Sequence, residues 1–159
     1  MEVHFFVEHT LLITHYYHSG FSVASKRTLA VFDYWRGERG ELTEDKQLTP
    51  EILKQYENVF VFISHEHIDH LDPIVFSWNE IGNVSYIVSS DMPVGTRGRR
   101  MAPGDTLELA PDIRVKAFDS TDPGVSFLVE FRGRASSPPA KAARSLGVVY
   151  LNTSLYTML

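Results

Sequence analysis

The sequence predicts an α/β domain, and three observations carry that prediction. Short β-branched and aromatic runs separated by turn residues open the chain. One later run, Val59-Phe60-Val61-Phe62-Ile63, is apolar without interruption, as a strand buried on both faces must be. Helix-start signals flank that run, Thr49-Pro50-Glu51 before it and Asp72-Pro73 after it. Helix and strand in this alternation place helices against one face of a sheet.

The elements follow in order. Residues 1–10 are mixed apolar and polar, with His4 and His9 at no informative spacing, and read as an N-terminal extension. Leu11-Leu12-Ile13-Thr14-His15-Tyr16-Tyr17 has strand composition, and Ser19-Gly20 supplies a tight turn into Phe21-Ser22-Val23-Ala24. Lys26-Arg27 turns the chain again into Thr28-Leu29-Ala30-Val31-Phe32, completing an antiparallel meander that stops at Asp33. The charged, glycine-punctuated stretch 37–46 is an exposed loop. A hydroxyl at N-cap, proline at N1 and an acid in the first turn then start a short helix with Ile52, Leu53 and Tyr56 inward. After the apolar strand, Asp72-Pro73 opens a second helix with Ile74, Val75, Phe76 and Trp78 as its buried side. Ser85-Tyr86-Ile87-Val88 is the next strand. The stretch 93–103, with Thr96-Arg97-Gly98-Arg99-Arg100, reads as a solvated loop in an acidic chain; a phosphate site is the alternative. Pro103-Gly104 turns into a strand, residues 113–118 alternate apolar and basic as a strand with one wet face does, and 125–131 is a further strand.

Composition narrows the function classes. At 159 residues the chain is one domain by length, large enough for a true core. A formal charge of −5 gives no general attraction to nucleic acid or to an anionic membrane, so a nuclease is disfavoured. With no cysteine there is neither disulfide nor thiolate ligand, and any metal must be held by nitrogen and oxygen. No apolar run approaches the ~20 residues of a membrane span. No basic start with an apolar core marks a signal peptide. The lack of cysteine fits the cytoplasm, which is the expected location.

Chemistry concentrates in Ile63-Ser64-His65-Glu66-His67-Ile68-Asp69-His70, directly after the apolar strand. Imidazole nitrogen and carboxylate oxygen are the borderline ligands that zinc, iron and manganese accept. An extended backbone sends His65 and His67 to one side, where they share an ion; Asp69 and His70 lie past the bend and face a second. A solvated histidine-rich loop is the bland alternative, which the ligand types, spacing and strand-end context disfavour.

His-x-His-x-Asp-His resembles the signature of the metallo-β-lactamase fold, a family of mostly dinuclear metal hydrolases and some oxidoreductases. Tyr16-Tyr17-His18-Ser19-Gly20-Phe21 and Val31-Phe32-Asp33-Tyr34 resemble the opening of its lactonase-like cytoplasmic branch. The resemblance covers about residues 11–133 and implies an αββα fold truncated to its N-terminal half. It implies zinc, two ions in the full family, with iron or manganese as alternatives. The implied reaction uses a hydroxide generated at the metal on an ester, lactone, amide or phosphodiester. His65, His67, Asp69 and His70 would be ligands, with Asp69 also catalytic. Asp33 would be a carboxylate orienting a ligand imidazole, unless it merely caps a turn. His18 would line the site mouth, unless it is a surface or core histidine.

The pattern then breaks. A complete family site needs another histidine after the 113–118 strand, and here stands Asp119-Ser120-Thr121-Asp122, of which Asp122 is a candidate oxygen ligand at the mouth. The family's apolar strand ending in His-Ala-Gly-Asp is replaced by Arg134-Ala135-Ser136-Ser137-Pro138-Pro139, and no histidine follows His70. Residues 134–159 are therefore expected to be a divergent, flexible segment, from a reading-frame slip, natural truncation or a diverged half-domain. Residues 146–159 are apolar enough to dock on the sheet. Each metal position lacks at least one protein ligand. A small-molecule hydrolase and a catalytically inactive binding module with a vestigial site both remain open. A homo-oligomer or a second-half partner is expected wherever the site is to be completed.

Overall fold

The computed structural model describes residues 11–121 and 123–132, and the backbone of 145–151. The N-terminal extension, Asp122 and most of the divergent segment lie outside the described residues.

Among the described residues ten strands form two sheets. The first sheet has six, in the order β1 (Leu12–His15), β2 (Phe21–Ala24), β3 (Thr28–Phe32), β4 (Asn58–Ile63), β5 (Val84–Ser89) and β6 (Arg99–Met101). The first three pair antiparallel, as the meander reading expects; β3 to β6 pair parallel. The second sheet is antiparallel, with β7 (Thr106–Ala110), β8 (Ile113–Asp119), β9 (Val125–Arg132) and β10 (Ser145–Leu151). Part of the segment expected to be flexible is thus a strand whose backbone pairs with β9.

The two faces of β4 explain its unbroken apolar sequence. Phe60 and Phe62 face the second sheet, among Val23, Phe32, Ile87, Val115, Phe127 and Val129. Val59, Val61 and Ile63 face a second apolar layer with Leu53, Val75, Trp78 and Tyr86. Register stacks Phe21 on Phe32 and Phe32 on Phe62, each pair with centroids 4.7 Å apart, and Phe62 then meets Phe127 across the sheets at 5.3 Å. This aromatic column ties the strands bearing the site to the second sheet.

Helical structure covers the outer face of the first sheet. Helix α1 (Pro50–Leu53) is a single turn whose N-cap Thr49 side chain accepts the Ile52 N–H, and Leu53 is its buried anchor. The expected second helix is instead a 3-10 helix, Pro73–Ile81. Three residues per turn align Val75 with Trp78, which are buried, and leave Ile74 and Phe76 half-buried. Asp72 caps its start through Ile74 N–H, and left-handed Gly82 ends it. The arginine stretch also differs from expectation, because Arg99–Met101 adds an edge strand. On β8, Arg114 and Lys116 are exposed and alternate with buried Ile113, Val115 and Ala117. Among the described residues no helix covers that wet face, so they supply an αββ arrangement.

Candidate metal centre

The site forms where β3 and β4 end side by side. Their parallel register pairs Phe32 with Phe62, so Asp33, one residue past β3, and Ser64, one residue past β4, emerge together at the carboxyl edge of the sheet. Ligands of open α/β sheets bind at such edges. Asp33 adopts φ 42°, a left-handed conformation uncommon for a non-glycine residue, while its N–H donates to Phe62 O at 3.0 Å. That bend turns its carboxylate, fully buried, beneath the histidine motif.

Three donors meet this carboxylate. Ser64 N–H donates to Oδ1 at 2.8 Å, Ser64 Oγ–H to Oδ2 at 2.7 Å, and His70 Nδ1 lies 2.9 Å from Oδ2. A buried carboxylate is tolerated when its lone pairs are used in this way. The same bonds set two tautomers. Ionised Asp33 can only accept, so His70 Nδ1 carries the proton and Nε2 bears the lone pair. Ser64 has spent its single hydroxyl proton on Asp33. It can therefore only accept from His65 Nδ1, 2.9 Å away, and His65 too presents an Nε2 lone pair. Burial, then the neighbouring His70, pulls the His65 pKa below its ordinary value and favours the neutral form that ligates. Asp33 thus orients the two imidazoles, as a carboxylate behind metal-binding histidines does.

The other motif residues form the rim. His65 is buried, with its ring 3.9 Å from that of His70 and 4.7 Å from that of exposed His67. His67 caps a 3-10 turn, Ile68–His70, that swings Asp69 and His70 back over the sheet edge. Asp69 Oδ2 then lies 3.6 Å from His70 Nε2 and 3.6 Å from His18 Nδ1. Donor atoms of His18, Asp69 and His70 all fall within 4.8 Å of one another, while His65 and His67 pair edge to face beside them. Nitrogen and carboxylate donors of this kind suit zinc, iron or manganese, so the residues present fit an ion.

A backing wall closes the site from the second sheet. Val125 N–H donates to Ser64 O at 3.1 Å, and Gly124, at φ +113°, lies so close that an added Cβ would stand 2.2 Å from Ser64 O. Gly124 and Val125 therefore reach the motif, while the candidate ligand Asp122 lies outside the described residues. Sequence reading missed Gly124 and Ser64; Pro123-Gly124 signals a turn but not a close approach.

Beside Glu66 opens a groove of ≈ 350 Å³ lined by Leu71, Phe76, Met92, Pro93 and Arg97. A larger cavity, ≈ 560 Å³ between β1 and residues 45–56, holds none of the motif residues, so size does not mark the chemistry. The arginine stretch is partly committed: Arg100 donates to the carbonyls of Met92 and Pro93, and Arg97 to Asn79 Oδ1.

The architecture is similar to that of solved metalloproteins. A protein described as a metal-dependent hydrolase from Parabacteroides distasonis matches with TM-score 0.57 and 18% identity, over 76% of this chain and 56% of that one. A metallo hydrolase from the hyperthermophilic archaeon Ignicoccus hospitalis matches with TM-score 0.59 and 18% identity, over 79% of this chain and 57% of that one. CmlA, a diiron β-hydroxylase from Streptomyces venezuelae, matches with TM-score 0.52 and 16% identity, over 78% of this chain and 28% of that one. The chain thus spans little more than half the length of the first two. No protein-family model and no curated protein matches the chain. The described fold is similar to part of the fold of these metal-dependent hydrolases and of the diiron β-hydroxylase. Among the described residues no helix is long and apolar enough to cross a membrane.

Proposed function

We propose that this chain is a metal-dependent hydrolase of the metallo-β-lactamase type, with His65, His67, Asp69 and His70 holding the metal. The carrying observation is the Asp33–Ser64 network, which turns the Nδ1 protons of His65 and His70 inward, so that each ring directs Nε2 away from the buried carboxylate. Zinc is the ion we favour, with iron or manganese as alternatives. A bound dication would acidify water and polarise a carbonyl or phosphoryl oxygen. Asp69, one-third exposed, would take a proton from attacking water, and buried Asp33 would keep His70 from rotating. The substrate is a small ester, lactone, amide or phosphodiester, its apolar part resting in the groove beside Glu66 with Arg97 on the rim. The cytoplasm is the location this reading prefers.

A second reading has its own support. No histidine follows His70, so the motif residues give each of two ions only two ligands. On that reading the chain is a truncated, inactive binding module with a vestigial site, or one completed by a homo-oligomer or a second-half partner. We expect monomer to bind at most about one ion, with weak turnover. Metal titration of monomer isolated by size exclusion, with a screen of ester, lactone and phosphodiester substrates, separates the two. Metal-dependent turnover lost in His65→Ala and His70→Ala supports the hydrolase. Saturable metal without turnover supports the binding module.

A further inference from the structure

We propose that His18, on the turn between β1 and β2, is a metal ligand that joins Asp69 and His70 in a two-nitrogen, one-carboxylate site for one divalent transition ion. The proposal rests on the reading of the motif as metal-binding and adds to it a ligand from outside the motif.

Spacing is the first argument. Ligands about 2.1 Å from one ion, at tetrahedral angles, stand roughly 3.4 Å apart. Asp69 Oδ2 lies 3.6 Å from His18 Nδ1 and 3.6 Å from His70 Nε2, and all three donors fall within 4.8 Å. Asp69 Oδ2 thus lies in ion-pair range of both rings at once, at a spacing wider than a hydrogen bond and close to that of two ligands on one ion.

Backbone conformation is the second argument. His18 stands at φ 51°, a left-handed position that a bulky side chain seldom takes. The turn is held there from several sides. Tyr16 N–H donates to Gly20 O and Gly20 N–H to Tyr17 O. Buried Ser19 donates its hydroxyl to the Asp69 carbonyl at 3.1 Å. Gly20 sits so tightly that a Cβ would lie 3.1 Å from Asp33 O. The Trp35 ring meets His18 edge-on at 5.8 Å. Strain kept by this many contacts, with the ring aimed at Asp69 and His70, is the pattern of a functional position.

Ligand supply is the third argument. A catalytic ion needs three protein ligands and an open position, and Asp69 with His70 supplies only two. His18 is the third, and its half-exposed ring leaves room for water or substrate. The set is the one non-haem iron(II) sites also use, so iron and zinc are both chemically suited.

Ligation at Nδ1 has a consequence for the proton. Ser19 Oγ, 3.1 Å from His18 Nδ1, has given its proton to the Asp69 carbonyl, so in the metal-free chain Nδ1 carries the hydrogen. Binding an ion at Nδ1 moves that hydrogen to Nε2 through solvent, a change of tautomer without change of net protonation.

The test uses the full-length monomer, titrated with Zn2+ and with Co2+, beside His18→Gly and His65→Ala. Glycine takes a left-handed φ without strain, so His18→Gly keeps the turn, and circular dichroism checks the fold. We expect His18→Gly to loosen both metals on the order of tenfold or more, and to weaken the visible Co2+ absorption. In 15N-labelled wild type, added Zn2+ should convert His18 from the Nδ1–H to the Nε2–H tautomer. If His18→Gly binds as wild type does and the His18 nitrogens do not respond to Zn2+, the His18 assignment is overturned while the motif reading stands. If wild type binds neither metal, both fall. Should His18→Gly unfold, the nitrogen response of wild type decides.

Discussion

The inner and outer halves of the site are built differently from nearly the same residue types. Asp33, Ser64, His65 and His70 are buried, and hydrogen bonds of 2.7–2.9 Å join them into one network. His18, Glu66, His67 and Asp69 stand at the rim, at least a third exposed, and Asp69 meets its histidine neighbours at 3.6 Å. The inner half fixes tautomer and direction, so it belongs to the fold as much as to the chemistry. In the outer half Asp69 meets the imidazoles only at the wider spacing, and that half gains most from an ion.

Removing Asp33 tests that division most severely. Asp33→Ala strands three buried donors, and we expect a loss of about 4 kcal/mol together with failure to bind metal, read by chemical denaturation and titration. Retained stability would mean that the inner half is not part of the framework. Phe62→Ala works from beneath, leaving every polar group in place while opening a cavity under the Asp33–Phe62 backbone bond. About 3 kcal/mol should be lost, and an unchanged thermal melt would show the aromatic column to be dispensable. Gly124→Ala presses on the wall: φ +113° and the approach to Ser64 O forbid a methyl group without a shift. We expect about 2 kcal/mol of destabilisation and weaker metal binding, since the displaced backbone carries His65. At the rim the effect on folding should almost vanish. His67→Ala and Asp69→Asn are expected to change stability by no more than about 0.5 kcal/mol while metal binding drops on the order of tenfold or more. Equal losses of stability at rim and interior would erase the distinction.

The two halves were also unequally legible in the sequence. The motif's ligand types announce chemistry, and the strand before it follows from an unbroken apolar run that only two-sided burial explains. Strands β2, β3 and β8 were legible because turn residues or strict alternation bound them. By contrast, β6 has only Met101 buried, and three residues at an edge carry no period. The 3-10 form of Pro73–Ile81 was missed because its apolar residues also satisfy a helical repeat. Asp33 could be assigned an orienting role only through family resemblance. The proximity of His18 to Asp69, and the crowding at Gly124, arise from tertiary contact between segments 50 or more positions apart, which local pattern does not encode.

One consequence of the Asp33 network concerns time rather than geometry. Its bonds to Ser64 and His70 span 31 and 37 residues, and they exist only once the crossover through α1 has closed and β3 lies parallel to β4. Closing such a loop precedes any reward from the contacts it brings together. We therefore expect the imidazoles to acquire their direction late, after the rate-limiting step of folding. An ion that recognises only the finished arrangement cannot guide the chain towards it; it acts as a latch. Zinc should leave the refolding arm of a chevron nearly unmoved and lower the unfolding arm, lengthening the lifetime of the native state.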